Sequence, residues 1–266
     1  MSYTIETVAE RIGARRVGDT PATIDWLLTD SRSLSFPEET LFFALTTKRN
    51  DGARYIPDLY SRGVRNFVVS KETYKAIENG QLTIDNSMQR DSAQPIVNCQ
   101  LSTVNFLVVA NPLKALQKLA EQHREQFQIP VIGITGSNGK TIVKEWLHQL
   151  LSPERVIVRS PRSYNSQIGV PLSVWQMNEQ SELAIFEAGI SEMGEMRALQ
   201  NIIKPTIGIL TNIGGAHQEN FFSLQEKCME KLTLFKNCDV VIYNGDDEFI
   251  SNCVAKSMLS AREIAW

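Results

Sequence analysis

Gly133-Ile134-Thr135-Gly136-Ser137-Asn138-Gly139-Lys140-Thr141 is the stretch on which the reading of this chain turns. It overlaps a short apolar run, Val131–Ile134, and precedes a segment that puts Val143, Trp146, Leu147, Leu150 and Leu151 on one helical face. A strand, a glycine-rich turn and an amphipathic helix in that order predict a phosphate-binding loop. The glycines let backbone N–H groups converge on phosphate oxygens, and the helix N-terminus adds partial positive charge. Thr135, Gly136, Ser137, Asn138, Gly139, Lys140 and Thr141 are therefore the candidate nucleotide-binding residues. Lys140 is suited to neutralise the β- and γ-phosphates, and the Thr141 hydroxyl to ligate Mg2+. Ile134 stands where the standard GxxxxGK(S/T) loop has its first glycine. A glycine-rich turn that binds nothing is the competing reading. The ordered strand, Gly-Lys-Thr and helix weigh against it.

Downstream, strand-like runs at Val156–Val158, Leu183–Phe186, Thr206–Leu210 and Val240–Tyr243 alternate with helical segments. Those helices are expected around Val170–Trp175, Met193–Ile203 and Leu224–Phe235. Near-continuous apolar strands between helices predict a mainly parallel sheet covered on both faces. Upstream the pattern differs. Ile5, Val8, Ala9 and Ile12 recur at helical spacing, and β-rich runs follow at Thr23–Leu28, Thr40–Leu45, Asn66–Val69 and Val104–Val109. The polar stretch Asn79–Pro95 reads as a surface loop. Leu113, Leu116, Leu119 and Ala120 mark a helix with Pro112 in its first turn, where a missing N–H costs little. The expected class is α/β in two domains: a small mixed α/β domain over residues 1–110, then a P-loop-type, mainly parallel-sheet domain over residues 111–266.

The 266 residues are 42% apolar and 21% charged, an ordinary globular composition whose length suits two domains better than one. The formal net charge of −3 leaves no global positive field to recruit nucleic acid or an anionic membrane. An anionic substrate must be met by a local site. The N-terminus lacks a basic-then-apolar leader pattern, and no apolar run approaches the roughly 20 residues of a membrane span. Cys99, Cys228, Cys238 and Cys253 show no CxxC pairing, and His123, His148 and His217 no HxxxH spacing. Reduced thiols in a cytoplasmic protein without a zinc site are expected. The Asn-Lys-x-Asp element of a GTPase is absent, and no GxSxG motif or evident Cys–His pairing supports nucleophilic acyl chemistry.

The loop Thr135–Thr141 resembles the T-G-(S/T)-N-G-K-T signature of the Mur ligases and the related folylpolyglutamate synthases. Four further segments fall in the order that family shows. Thr29-Asp30-Ser31-Arg32, Leu41-Phe42-Phe43-Ala44-Leu45 and Asp51-Gly52 resemble its N-terminal UDP-binding domain. There Ser31 and Arg32 would meet uracil carbonyls or a diphosphate, whereas an isolated reading is a surface turn with an ion-paired arginine. Two departures lie nearby: the family's glycine after Ala-Leu is replaced around Thr46–Thr47, and its histidine after Asp-Gly is Ala53. Tyr164-Asn165-Ser166-Gln167-Ile168-Gly169-Val170-Pro171-Leu172 is similar to the segment of the D-alanyl-D-alanine-adding members. The resemblance puts Asn165 beside the nucleotide-sugar substrate, while Gly169 and Pro171 taken alone start a helix.

Ala184-Ile185-Phe186-Glu187-Ala188-Gly189 ends an apolar strand with an acid, and the resemblance makes Glu187 a Mg2+ ligand. A helix-capping or solvated glutamate is the plain alternative. Thr211-Asn212-Ile213-Gly214-Gly215-Ala216-His217, with Phe221, Ser223 and Lys231, resembles the family's T-N-I-G-x-x-H…S…K block. It implies that His217 ligates or orients a second metal and that Lys231 is a carbamylated ligand, which requires a depressed amine pKa. Lys227 lies one turn away, so an ordinary solvated lysine pair stays open, and Thr233 replaces the usual acid two places later.

The resemblance implies an ATP- and Mg2+-dependent ligase that phosphorylates the terminal carboxylate of UDP-MurNAc-tripeptide and lets the amine of D-Ala-D-Ala expel phosphate. Lys140, His217 and Lys231 would be catalytic, and Thr141, Glu187, His217 and Lys231 would hold metal. Ser31, Arg32 and Asn165 would bind substrate. An adenine-binding stretch and a third, amine-binding domain are expected beyond Trp266, leaving the 266 residues inactive alone. The ligase adding the third stem-peptide residue, and a non-catalytic nucleotide-sugar-binding fragment, are the alternatives.

Overall fold

Local chemistry sets the first elements. After strand β1 (Tyr3–Thr4), the Thr4 hydroxyl accepts from the Thr7 amide at 3.2 Å and caps helix α1 (Ile5–Ile12). Ile5, Val8, Ala9 and Ile12 bury one face of α1. The computed structural model describes residues 1–47, 51–82, 103–215 and 220–266, which fall into two compact units, Met1–Leu119 and Ala120–Trp266.

In the first unit come β2 (Arg15–Val17), β3 (Thr23–Ile24), β4 (Trp26–Leu28), β5 (Thr40–Phe43) and α2 (Ile56–Ser61). β6 (Asn66–Ser70), α3 (Lys71–Glu78) and β7 (Asn105–Val109) follow, and α4 (Pro112–Arg124) carries the chain into the second unit. The sheet order is β2-β7-β6-β5-β4, with β4 to β7 parallel and β2 antiparallel at one edge. β5 and β7 are buried at every residue, and the Phe67 and Phe106 rings stack 5.8 Å apart in the core. The run Thr23–Leu28 divides in two because the Asp25 and Trp26 amides both turn to the Glu39 carbonyl. β3 therefore pairs with β1, and β4 with β5. Residues 83–95 of the expected surface loop lie outside the described residues.

The second unit contains β8 (Val131–Thr135), α5 (Lys140–Leu151), β9 (Ile157–Arg159), α6 (Gly169–Val174), β10 (Leu183–Glu187) and α7 (Glu195–Ile203). It continues with β11 (Ile207–Leu210), α8 (Leu224–Leu232), β12 (Val240–Tyr243), α9 (Glu248–Ser257) and β13 (Arg262–Ala265). The sheet order is β13-β12-β11-β8-β10-β9, and every pairing is parallel. Alternate strand residues enter two cores. Val131, Phe186, Leu210 and Val241 pack with Leu199, Ile202 and Phe235, while Ile132, Ile134, Ile185 and Ile209 meet Val143, Leu147 and Leu151. This is the parallel sheet covered on both faces that the apolar runs predict.

The topology then decides where a ligand sits. From β8 the chain runs to the edge strand β9, returns to β10 beside β8, and crosses to β11 on the other side of β8. The strand order reverses at β8. In open parallel sheets, ligands bind outside the carboxyl ends of the strands at such a reversal. Thr135, Glu187 and Leu210 are the last residues of the three strands that meet there.

Candidate functional site

The loop after β8 folds tightly against the segment after β11. Gly136 adopts φ 146, and a Cβ there would come 2.0 Å from Thr211 Oγ1, so only glycine fits. The Ser137 amide donates to Asn212 O at 2.9 Å and the Asn138 amide to Asn212 Oδ1 at 2.8 Å. The Gly214 amide donates to Ser137 Oγ at 2.9 Å. The Thr135 hydroxyl is buried and donates to Ala188 O, tying the loop to the end of β10. Lys140 opens α5, half-buried, with Nζ 2.8 Å from Gly136 O and 3.2 Å from Ser137 O. Burial lowers its pKa, and Lys227 pushes it the same way against the pull of Glu187.

Glu187 ends β10 with its side chain 0% exposed. Its Oε2 accepts from the Thr141 hydroxyl at 3.0 Å, and its amide donates to Ser160 Oγ at 3.2 Å. Oε1 lies 2.9 Å from Lys144 Nζ, an ion-pair distance without hydrogen-bond geometry. A buried carboxylate with an incompletely satisfied oxygen, beside a hydroxyl at the start of the loop helix, is a donor set of hard oxygens. It fits Mg2+, which keeps water and phosphate oxygens for its remaining positions.

Helix α8 brings two more lysines inward. Ser223 caps it, accepting from the Glu226 amide at 3.0 Å, and Lys227 and Lys231 lie on its buried face. Lys227 Nζ donates to Gly214 O, holding the segment after β11 from the other side. Glu230 Oε1 accepts from the Met196 amide at 2.9 Å and satisfies the first turn of α7. Lys231 is buried, and among the described residues its side chain makes no hydrogen bond or ion pair. Burial first, then Lys140 and Lys227, lowers its pKa to about 7. A lowered pKa favours the neutral amine that carbamylation requires. His217 lies outside the described residues.

Asn165 reaches the same end of the sheet through backbone. Its carbonyl accepts from the Gly189 amide at 2.8 Å, two residues past Glu187. A Cβ on Gly189 would come 2.9 Å from Asn165 Oδ1, so a side chain there would displace the Asn165 amide group. Lys140, Thr141, Asn165, Glu187 and Lys231 are thus all contributed by elements converging on the carboxyl ends of β8 and β10. Lys144 and Lys227 were not singled out as ligands by their pattern. Lys144 follows Lys140 by one helical turn and Thr141 by three residues, which sets it on their face of α5.

Ser31 and Arg32 belong to the first unit, in a short 3-10 turn after β4. The Arg32 side chain is 88% exposed and pairs with Asp30, Nη2 to Oδ2 at 2.6 Å. The Arg32 guanidinium holds the Asp30 carboxyl below the usual carboxylate range. A cavity of about 640 Å3 lies elsewhere at the carboxyl end of this sheet, lined by Thr46, Asp51, Arg54, Ser70, Thr73 and Asn111 among others. Two helices start at it: Ser70 caps α3, and Asn111 Oδ1 accepts from the Lys114 amide at the start of α4. Ser31 and Arg32 are outside its lining. Two helix N-termini and Arg54 offer donors to an anion, while the carboxylates of Asp51 and Glu72 also line the cavity.

The family model of the Mur ligase middle domain matches residues 134–263. A UDP-N-acetylmuramoyl-tripeptide–D-alanyl-D-alanine ligase of Borreliella burgdorferi is 34% identical over 212 residues, covering 79% of this chain and 42% of the relative. The structure of MurF from Acinetobacter baumannii superposes with a TM-score of 0.80 at 23% identity, covering 100% of this chain and 53% of that one. MurF ligase from Thermotoga maritima, solved in complex with ADP, shares the fold with a TM-score of 0.68 at 22% identity, covering 90% of this chain and 49% of that one. The chain thus spans less than half the length of the matched Borreliella relative and about half that of the two solved structures. No helix of the described residues is long and apolar enough to cross a membrane.

Proposed function

The chain belongs to the Mur ligase family, and from that premise we propose that it forms the nucleotide-sugar-binding and ATP-binding parts of a ligase joining D-Ala-D-Ala to UDP-MurNAc-tripeptide. Residues 1–110 take the UDP sugar and residues 111–266 take ATP. The observation that carries this reading is the Lys140, Thr141 and Glu187 cluster at the carboxyl ends of β8 and β10.

A carboxylate is a poor electrophile, and transfer of the γ-phosphoryl group to it creates a good leaving group. The amine then attacks the acyl phosphate, and phosphate departs. Amides of Gly139 to Thr141 orient the nucleotide phosphates at the start of α5, and Lys140 leaves its own loop carbonyls to offset their charge. Mg2+, when bound, spreads the charge that develops on the transferring phosphoryl oxygens. Thr141 and Glu187 would hold it, with His217 and carbamylated Lys231 serving a second metal. Asn165 orients the sugar-peptide substrate from its place against Gly189.

In the first unit, the 640 Å3 cavity has room and donors for a nucleoside diphosphate, and the Ser31–Arg32 turn adds donors nearby on the same sheet end. The setting we assign is the cytoplasm, which suits the buried free thiols of Cys228, Cys238 and Cys253. The ligase that adds the third stem-peptide residue is the second reading. The Asn165–Leu172 segment favours the D-Ala-D-Ala-adding enzyme over it.

Thermal-shift titration tests the proposal. UDP-MurNAc-tripeptide and Mg2+-ATP should each raise the melting temperature, and the tripeptide form should do so at lower concentration than UDP-MurNAc-dipeptide. Preference for the dipeptide form supports the second reading. No response to either ligand contradicts both.

A further inference from the structure

The reaction proposed above leaves the buried charge of Lys144 unused. Lys144 is 0% exposed, and its Nζ has four oxygen neighbours. Ser160 O lies at 2.8 Å, Glu187 Oε1 at 2.9 Å and Glu145 Oε1 at 3.1 Å, and Arg162 O accepts a further hydrogen bond. An apolar side chain would fill this slot without the desolvation that a buried ammonium suffers. The lysine must therefore be explained by what it holds.

It holds two things. One is Glu187, whose other oxygen, Oε2, faces the Thr141 hydroxyl. The other is the segment after β9. Arg162 sits there at φ 49, a left-handed conformation that a non-glycine residue keeps only when its surroundings over-determine it. Its carbonyl is one of the oxygens that Lys144 binds. Ser160 links the two, since its carbonyl accepts from Lys144 while its hydroxyl accepts from the Glu187 amide. Three residues beyond Arg162, Asn165 docks on Gly189.

We propose that Lys144 is a positioning residue: it fixes Glu187 so that Oε2 stays beside Thr141, and by the same contacts it sets the base of the loop that presents Asn165. The inference rests on the functional reading above, in which Thr141 and Glu187 hold a divalent cation. A residue that orients a metal-binding carboxylate is felt in metal-dependent affinity more than in nucleotide affinity alone.

Calorimetry of ADP binding to the 266-residue chain, once with Mg2+ and once in EDTA, separates the outcomes. Lys144→Met should cut affinity in Mg2+ by roughly 10–100-fold while leaving affinity in EDTA near the wild-type value. Should Lys144→Met not fold, Lys144→Gln keeps a donor for the carbonyls without the charge on Glu187, and the same Mg2+-specific loss is expected. Equal losses with and without Mg2+ would reduce Lys144 to a structural role and overturn the proposal. So would an undiminished Mg2+ effect in the variant. A wild-type chain whose ADP binding ignores Mg2+ contradicts the metal assignment itself, a different failure that removes the basis of this one.

Discussion

Two ion pairs, one in each unit, show how differently a motif can be realised. Asp30 and Arg32 are two residues apart, meet on the surface and form a self-contained turn. Lys144 and Glu187 lie on different elements, are both 0% exposed, and meet only because the sheet brings α5 and β10 together. The first pair is legible in a tripeptide yet strongly screened, because solvent competes for both partners. The second is invisible as a motif but close to irreplaceable, because removing one partner leaves the other charged in the interior. Chemistry in the central unit is therefore held by topology, and in the first unit by local turns and cavity walls.

The largest effect should come from breaking the buried pair. Glu187→Ala leaves Lys144 paired only with the half-buried Glu145 and is expected to destabilise the second unit by about 3 kcal/mol, the low end for breaking a buried pair, measured by urea unfolding. A loss as small as that of a surface mutation would place the pair in solvent and undo the contrast. Next comes Lys140→Ala. Lys140 reaches only carbonyls of its own loop, so stability should hold while nucleotide binding weakens by about 2 kcal/mol, read by calorimetry.

A smaller effect follows from Lys231. Its folded-state pKa of about 7 lies below the ordinary 10.5. Between those values the unfolded chain binds a proton that the folded chain does not. Stability should therefore rise with pH across that window, by at most about 1.4 kcal/mol per unit. Cys228 and Cys238, whose thiols are pushed up by burial, act in the opposite sense above pH 9, so the slope is best read between about pH 7 and 8.5. Lys231→Met should flatten the curve, and an unchanged slope in that variant would locate the proton elsewhere.

Arg32→Ala should give the smallest change in stability, with no resolvable shift in melting temperature. Its binding effect is expected to be selective, weakening UDP-MurNAc-tripeptide more than ATP. Equal losses for both ligands would make Arg32 structural instead.

How much of this was legible follows from range. The alternation from β8 to β12 could be read because each strand is a continuous apolar run and each helix repeats one face. Helices α2 and α3 went unread because they are short: α3 buries only Tyr74 and Ile77, too few for a period to emerge. Strands β3 and β4 read as a single run, since the turn of two amides to Glu39 is a tertiary event. In the site, Gly136 to Thr141 carry a pattern of their own. Lys144 does not, because its role depends on Glu187 and on the Arg162 carbonyl, neither near it in sequence. Lys231 could be named from its block, but its burial against Lys140 and Lys227 needed the packing of α8.

Backbone amide NMR of the 266-residue chain, titrated with ATP and Mg2+ and then with UDP-MurNAc-tripeptide, tests the central claim most directly. ATP with Mg2+ should move the amides of Ser137 to Thr141 together with Asn212 and Gly214, saturably, and not in Lys140→Ala. The nucleotide sugar should move a separate set around Thr46, Arg54 and Asn111. Amides of the Gly136–Thr141 loop that stay in place at saturating ATP would contradict the assignment of that loop, and with it the ligase reading of the chain.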